Sequence, residues 1–258
     1  MKILVLVKEV PDTYGSRKLD LETGLAQRAE SDRVIDEIGE RALEVALKYA
    51  DSDADTEIVI VSMSPDGAQD GIRKLLAMGA ASAVHIADER LRGADLGLTA
   101  QVLAAAVRRI GFDLVLTGNT STDGAGGVIP AMLAELLQVP HATGLNSLEI
   151  SGDHVAGVRA VDGGTMTVST SLPAVVSVTE ALPDARLANL KGIMAAKKKP
   201  YETITLADLR VDSADPAVAR SIMTAVAEKP ARPAGVKIID QGDAAAQLAD
   251  YLIRNKLA

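Results

Sequence analysis

Continuous apolar runs alternate with segments of helical periodicity over roughly the first 145 residues of the chain. The run Lys2–Val7 is unbroken, which is typical of a strand covered on both faces in a parallel sheet. Between Asp36 and Ala50, apolar residues recur at the spacing of an amphipathic helix. The same patterns predict strands at Glu57–Ser62, Ala83–Ala87 and Asp113–Gly118, and helices at Pro65–Met78, Leu96–Ile110 and Ala125–Leu137. This order predicts a doubly wound, mainly parallel α/β sheet with helices on both faces.

Short alternating runs follow, divided by Gly-Asp and Asp-Gly-Gly turns. They predict a small antiparallel meander that extends the α/β domain over residues 145–180, with strands at Leu145–Ile150, His154–Val161, Thr165–Ser171 and Ala174–Val178. Pro173 has no N–H to donate to a ladder, so we expect it at the start of a strand or on an edge.

The remaining chain is less regular. Residues 180–200 have no clean strand period and are predicted to form an extended loop followed by at least one helical turn. A brief strand at Tyr201–Thr205, a helical turn at Leu206–Leu209 and a loose connector over residues 213–233 come next. The last segment, Gly242–Lys256, has an apolar stripe and is predicted to be the amphipathic helix of a C-terminal arm.

Composition narrows the classes of function. A net charge of −8 argues against nucleic-acid binding, which depends on neutralising phosphates. The absence of cysteine excludes disulfides, thiolate catalysis and Cys-ligated metals. No apolar stretch approaches the ~20 residues that span a bilayer, and the N-terminal run is too short for an export signal. We therefore expect a cytoplasmic protein with no direct membrane insertion.

The strongest candidate for a binding site is the segment Gly118–Ile129, with the sequence GNTSTDGAGGVI. It follows a predicted strand, is rich in glycine and hydroxyl groups, and opens a predicted helix, so free N–H groups and the positive end of the helix dipole could meet a phosphate. It matches neither common phosphate-loop motif. The structural alternative is a capped helix in which Thr122 or Asp123 is the N-cap and the glycines make a tight turn.

No catalytic constellation or metal motif emerges elsewhere. The three histidines, His85, His141 and His154, are far apart in sequence and are interpreted as structural. The basic run Lys197–Lys199 is either an anion or partner site or a solvated surface. Four apolar residues in the irregular stretch are either docking anchors or tuck onto the sheet. They are Leu187, Leu190, Ile193 and Met194.

Four motifs, in combination and order, resemble the beta (small) subunit family of the electron-transfer flavoproteins over nearly the whole chain. They are KILVLVKEVPD at Lys2–Asp12, IRKLLAMGA at Ile72–Ala80, RAVDGG at Arg159–Gly164 with LPAVVSV at Leu172–Val178, and LKGIMAAKKK at Leu190–Lys199. The third resembles the signature of the family, and the fourth resembles its partner-recognition loop.

The resemblance implies a non-catalytic electron-carrier subunit. It implies a heterodimer with a larger alpha subunit that holds the redox FAD, while this chain buries an AMP and performs no chemistry itself. The complex would take electrons from acyl-CoA dehydrogenases of fatty acid β-oxidation, or from other dehydrogenases, and pass them to a membrane quinone oxidoreductase. The implied regions are an adenine-nucleotide-binding domain at 1–180, a recognition loop at 181–200 and an arm at 201–258 that packs on the alpha subunit.

The resemblance also carries site residues onto this sequence. Ile38 falls where the family brings a bulky residue near the flavin, and Leu190 falls on the dehydrogenase anchor, beside Ile193 and Met194. The implied AMP site comprises Leu6, Asp36, Glu37, Ile38, Gly39, Met63, Gly118, Asn119, Thr120, Ser121, Thr122, Asp123, Gly124, Ala125, Gly126, Gly127, Val128 and Ile129.

Two departures from the family pattern bear on the nucleotide. Many relatives have a Thr-Ala-Gln-Val-Gly-Pro run where this chain has Gly126–Ala131, so backbone N–H groups must hold more of the phosphate. Thr165 and Met166 stand where the signature has an acidic residue or Gln. Electron-bifurcating relatives hold a second FAD in place of AMP, and this sequence is compatible with that arrangement too. It is also compatible with an independent ATP- or AMP-binding α/β protein and with a purely structural adaptor.

Overall fold

A computed structural model describes residues 1–15, 17–232 and 234–257 of the chain. Two compact units are present, Met1–Thr224 and Ala225–Ala258. The strands are β1 Lys2–Val7, β2 Glu9–Pro11, β3 Arg33–Ile35, β4 Glu57–Met63, β5 Ser82–Ile86, β6 Leu114–Gly118, β7 His141–Ser151, β8 His154–Val161, β9 Gly164–Ser171, β10 Ala174–Val178 and β11 Tyr201–Ile204. The helices are α1 Glu37–Ala50, α2 Gln69–Met78, α3 Leu96–Ile110, α4 Ile129–Leu137, α5 Leu190–Ala196, α6 Leu206–Leu209 and α7 Ala244–Arg254.

A nine-stranded sheet organises the first unit, in the order β11-β5-β4-β1-β6-β10-β7-β8-β9. The pairs from β11 to β7 are parallel, and only the two pairs that join β7, β8 and β9 are antiparallel. The predicted fold class is therefore confirmed.

The two faces of the sheet bury alternate residues of each strand. On β1, Ile3 and Val5 join a cluster with α1 and α2, whereas Leu4 and Leu6 join a second cluster with α3 and α4. Because both faces are covered, the central strands need apolar residues at every position. This explains why their sequence pattern is continuous rather than alternating.

The prediction that Ala174–Val178 belongs to the antiparallel meander is wrong. This segment is β10, which lies between β6 and β7 and pairs in parallel with both. All five of its residues are buried, which is the pattern of a central parallel strand. The meander consists of the second half of β7 with β8 and β9. Pro173 directly precedes β10, as expected.

Two helices begin later than the sequence predicts. A hydrogen-bonded turn from Pro65 to Ala68 precedes α2, which starts at Gln69. Helix α4 starts at Ile129 and not at Ala125, because Ala125 and Gly127 have positive φ values of 49° and 66° that a right-handed helix cannot contain.

The pairing of β2 with β3 is a feature that the sequence pattern does not predict. These three-residue strands form a separate antiparallel sheet, and runs so short carry no detectable period. The remaining predicted elements of the first unit occur within a few residues of their expected positions, including α5 inside the irregular stretch. In the second unit, α7 occupies most of the predicted terminal helix.

We expect Val176→Ala to lower the free energy of unfolding by about 2 kcal/mol, because it removes fully buried methyl groups from the middle of β10. Urea unfolding measures this change. Thr167→Ala on β9 is the matched control, since Thr167 is exposed and similar in shape to valine; its effect should stay within about 0.5 kcal/mol. Equal effects of the two substitutions would contradict the central position of β10.

Candidate functional site

The carboxyl ends of the central strands meet at one edge of the sheet. β1 ends at Val7, β4 at Met63 and β6 at Gly118. The chain adds β4 and β5 on one side of β1 and then crosses to add β6 on the other side. The crevice between β1 and β6 is thus a topological switch point, where open α/β sheets bind ligands. The glycine-rich segment Gly118–Ile129 begins at this crevice.

This segment is a long loop and not a capped helix. The residue before α4 is Val128, and no side chain caps that helix, so the prediction of Thr122 or Asp123 as N-cap is wrong. Both side chains instead bind residues of other elements, as described below. The second half of the loop, Gly124–Val128, is exposed.

Asp36 connects the start of α1 to the loop. Its buried carboxylate accepts a hydrogen bond from the N–H of Ile38 through Oδ1, at 3.2 Å, and thereby caps α1. Its Oδ2 accepts hydrogen bonds from the N–H and the hydroxyl of Thr122, at 2.7 and 2.9 Å. One side chain therefore fixes both the helix start and the first half of the loop.

Asp123 forms the centre of an ion cluster beneath the loop. Its Oδ1 lies 2.7 Å from Nζ of Lys8, and its Oδ2 lies 2.7 Å from Nη2 of Arg28. Burial alone would raise the pKa of this carboxyl, but the hydrogen bond and charge of Lys8, with the hydrogen bond of Arg28, hold the pKa well below its ordinary value of 3.8. Asp123 is therefore ionised at neutral pH, and its carboxylate holds the loop to Lys8 and Arg28.

Basic residues of the first thirty positions are the part of the site that the sequence pattern does not predict. Besides Lys8 and Arg28, Arg17 donates to the carbonyl oxygens of Thr122 and Pro11. The short β2–β3 sheet follows β1 at the same edge and connects the segments that carry these cations. No sequence signal singles out these cations, because acidic residues are equally frequent in the first thirty positions.

Two polar groups of the loop are buried without a partner among the described residues. They are Oδ1 of Asn119 and Oγ of the Thr120 hydroxyl. Buried polar atoms are seldom left unpaired, because each costs free energy comparable to a lost hydrogen bond. In the exposed second half of the loop, the N–H groups of Gly126 and Gly127 have no acceptor within the described chain. The loop therefore carries hydrogen-bonding groups, two buried and two on exposed residues, that no described protein group uses.

The other predicted nucleotide residues lie around the same crevice. Leu6 is buried at the end of β1, beside Thr117 of β6 in the sheet register. Ile38 is buried against Gly118, where a Cβ would lie only 2.9 Å from Cγ2 of Ile38. The remaining members are Glu37, exposed in the first turn of α1, Gly39, buried beside Val7, and Met63, partly buried at the end of β4.

Two cavities lie away from the loop, along the C-terminal half of α1. Their volumes are about 210 and 440 Å³. Arg186 lines the smaller one and binds Glu44 and Asp51 of α1 and its cap, at 2.9 and 2.8 Å. These contacts attach the start of the recognition segment, which we define as residues 181–200, to α1.

The apolar residues of the recognition segment are exposed. Leu187 is 94% exposed, Leu190 74%, Met194 65% and Ile193 47%. The last three belong to α5 at spacings of three and four residues, so they share one face. The sequence left two interpretations of these residues, docking anchors or residues that pack on the sheet. Their exposure excludes packing on the sheet of this chain.

Lys199 of the basic run and His85 have structural partners. Lys199 is partly buried, and its Nζ donates to carbonyl oxygens of other segments, whereas Lys197 and Lys198 are exposed. His85 is buried and its Nδ1 lies 2.9 Å from the hydroxyl of Tyr201. No group of three or more potential metal ligands occurs among the residues that the structure describes.

Comparison with known proteins identifies the family. The sequence profile of the electron transfer flavoprotein domain matches residues 23–209. The chain belongs to the electron transfer flavoprotein family.

Relatives of this family member are similar over almost their whole length. The chain is 41% identical to the electron transfer flavoprotein subunit beta of Mycobacterium bovis, over 99% of this chain and 98% of the relative. It is 42% identical to the protein of the same name from Mycobacterium leprae, with the same coverage. Identity to that from Syntrophomonas wolfei is 33%, over 98% and 96% of the two chains.

The resemblance to electron-transfer flavoprotein beta subunits is thus confirmed at the level of the family, and with it a role in electron transfer. In the part of the chain that the structure describes, no helix combines the length and apolar character needed to cross a membrane.

Asp123 should make stability depend on pH in the acidic range. Because folding lowers the pKa of its carboxyl, the stabilisation is complete above the ordinary value of 3.8 and is lost as pH falls below it. We expect Asp123→Asn to be less stable than the parent protein at neutral pH, with a difference that shrinks below pH ~4. Urea unfolding at a series of pH values measures the difference.

The control for this experiment is Asp162→Asn in the exposed turn between β8 and β9. It removes the same charge where no ion pair is formed with a described residue. A difference between Asp123→Asn and the parent that did not change with pH would contradict the assigned ion cluster.

Proposed function

We propose that this chain is the beta subunit of a heterodimeric electron transfer flavoprotein. A larger alpha subunit holds the redox FAD, and this chain performs no chemistry of its own. The heterodimer accepts electrons from acyl-CoA or other dehydrogenases and passes them to a membrane quinone oxidoreductase. The observation that carries the proposal is the 41% identity, end to end, with a protein that bears the name subunit beta.

The glycine-rich loop is the proposed site of a structural AMP. Its unpaired groups at Asn119, Thr120, Gly126 and Gly127 fit a ligand with both donors and acceptors, such as a nucleotide. Lys8 and Arg28 share the single negative charge of Asp123, so this ion cluster keeps one excess positive charge. The phosphate would be held by backbone N–H groups of the loop, helped by the dipole of α4 and by this excess charge.

The FAD and the C-terminal arm belong to the interface with the alpha subunit in this proposal. FAD would supply the one- and two-electron redox chemistry, while Ile38 remains the candidate of this chain for a residue near it. Helix α7 carries Leu248, Leu252 and Ile253 on one stripe, and such a stripe fits packing on a partner. A second FAD in place of AMP is the alternative for the nucleotide site.

Counting nucleotides tests the site directly. The heterodimer, obtained by coexpression with the alpha subunit, should release one FAD and one AMP on denaturation. Gly126→Val should reduce the AMP content, because a branched side chain obstructs the backbone where the phosphate approaches. Gly164→Val is the control: Gly164 starts β9, where an added Cβ meets no atom within 4 Å.

Release of two FAD and no AMP would favour a second flavin at this site. Normal AMP content in Gly126→Val would remove this part of the loop from the site. Release of no second nucleotide would contradict nucleotide binding by this chain.

Leu190 should act as a docking anchor for the dehydrogenase. Leu190→Ala is expected to raise the KM for the heterodimer in its reduction by an acyl-CoA dehydrogenase by about tenfold or more, because truncating a central anchor costs a few kcal/mol of binding. The flavin spectrum should not change. Leu21→Ala is the control, because Leu21 is also an exposed leucine but lies outside the recognition segment and the C-terminal arm. An unchanged KM for Leu190→Ala would show that the anchor is misassigned.

A further inference from the structure

The recognition helix α5 is held against the C-terminal end of α2 by close backbone contact. At Gly192, a Cβ atom would lie 2.2 Å from the carbonyl oxygen of Ala77, so no side chain fits there. The side chain of Asn189 caps α5 by accepting a hydrogen bond from the N–H of Gly192, at 2.8 Å. One face of α5 is therefore against α2, while Leu190 and Met194 remain exposed.

Lys199 fastens the end of the recognition segment to the end of α2. Its Nζ donates to the carbonyl oxygen of Leu76 at 2.8 Å and to that of Ala80 at 2.6 Å. The last carbonyl groups of a helix lack partners within the helix and carry partial negative charge, so a cation stabilises them. The side chain of Lys199 is partly withdrawn from solvent, and this burial lowers the pKa of its amine.

Arg73 of α2 also binds the recognition segment. Its Nη1 donates to the carbonyl oxygen of Ala196 at 2.7 Å and to that of Lys199 at 3.3 Å. Its guanidinium carbon lies 4.9 Å from the centre of the Tyr201 ring, within the range of a cation–π contact. Arg73 and Lys199 together form what we call the clamp.

We propose that the clamp residues Arg73 and Lys199 are positioning residues that hold α5 in its docking geometry before a dehydrogenase binds. This inference rests on the proposed docking role of Leu190. A helix of seven residues is unstable alone, so without the clamp the partner would have to order α5 on binding. Preorganisation removes that cost and lowers the concentration of partner needed.

The three consecutive lysines, Lys197–Lys199, differ in their contacts. Lys199 serves the fold of the recognition segment, whereas Lys197 and Lys198 are exposed. Lys198 therefore provides a matched control for Lys199, with the same side chain one position away.

The test uses the FAD-loaded heterodimer, reduced by a purified acyl-CoA dehydrogenase at a series of heterodimer concentrations. Lys199→Met keeps the aliphatic chain and removes the cation. We expect KM for the heterodimer to rise about fivefold to tenfold while kcat changes less than about twofold, because only the docking geometry is altered. Lys199→Arg should restore most of the loss, and Lys198→Met should behave as the parent.

Hydrogen exchange gives a readout that does not depend on the dehydrogenase. The amide hydrogens of α5 should exchange at least about tenfold faster in Lys199→Met, while those of β1 and β6 stay unchanged. Arg73→Gln, which leaves Lys199 in place, should also raise KM and accelerate the exchange of α5. This variant replaces Lys199→Met in the test if Lys199→Met does not assemble with the alpha subunit.

The outcomes separate this inference from the docking proposal. If Leu190→Ala raises KM but neither clamp variant does, docking stands and the positioning role is overturned. If the clamp variants accelerate exchange of α5 but Leu190→Ala leaves KM unchanged, the clamp orders α5 but Leu190 is not a docking anchor. The positioning proposal then fails together with the docking role. Exchange of α5 that is unchanged in both clamp variants overturns the clamp itself.

Discussion

The carboxylate of Asp36 joins the two elements on which the candidate nucleotide site depends. One oxygen caps α1, and the other holds the backbone and hydroxyl of Thr122 in the glycine-rich loop. Because this carboxylate is buried, each of its two oxygens needs a donor. Asp123 adds a second connection through Lys8 and Arg28. These contacts fix the first half of the loop, and its glycine-rich second half is exposed to solvent.

The parallel sheet places the two proposed functions at opposite ends of its strands. The glycine-rich loop follows the carboxyl end of β6, whereas Lys199 binds the segment directly before β5 begins. The proposed nucleotide and the proposed dehydrogenase would therefore occupy different surfaces of this chain. Apolar core clusters cover both faces of the sheet between these two ends.

The central strands and long helices could be predicted because both follow from local pattern and burial. The predicted limits of the helix Leu96–Ile110 agree with those observed, since Asp95 caps it and Gly111 ends it. The position of β10 could not be predicted in this way. An apolar run such as Ala174–Val178 fits a parallel or an antiparallel neighbour equally well, and only the assembled sheet selects β6 and β7. The start of α4 could not be predicted because Ala125, a good helix former, has a positive φ that the surrounding loop imposes.

For the candidate site, the sequence alone determined the glycine-rich loop after a buried strand and the family. These are properties of residue type and order along the chain. The sequence left open whether the apolar residues near Leu190 are exposed, and the structure decided it. Only the tertiary structure decided that Thr122 binds Asp36, that Asp123 is neutralised by Lys8 and Arg28, and that Lys199 turns inward while Lys198 does not. The physical reason is that these hydrogen bonds and ion pairs join residues about a hundred positions apart. They form only where the packed core brings the two segments together, and the local sequence pattern does not specify which segments meet.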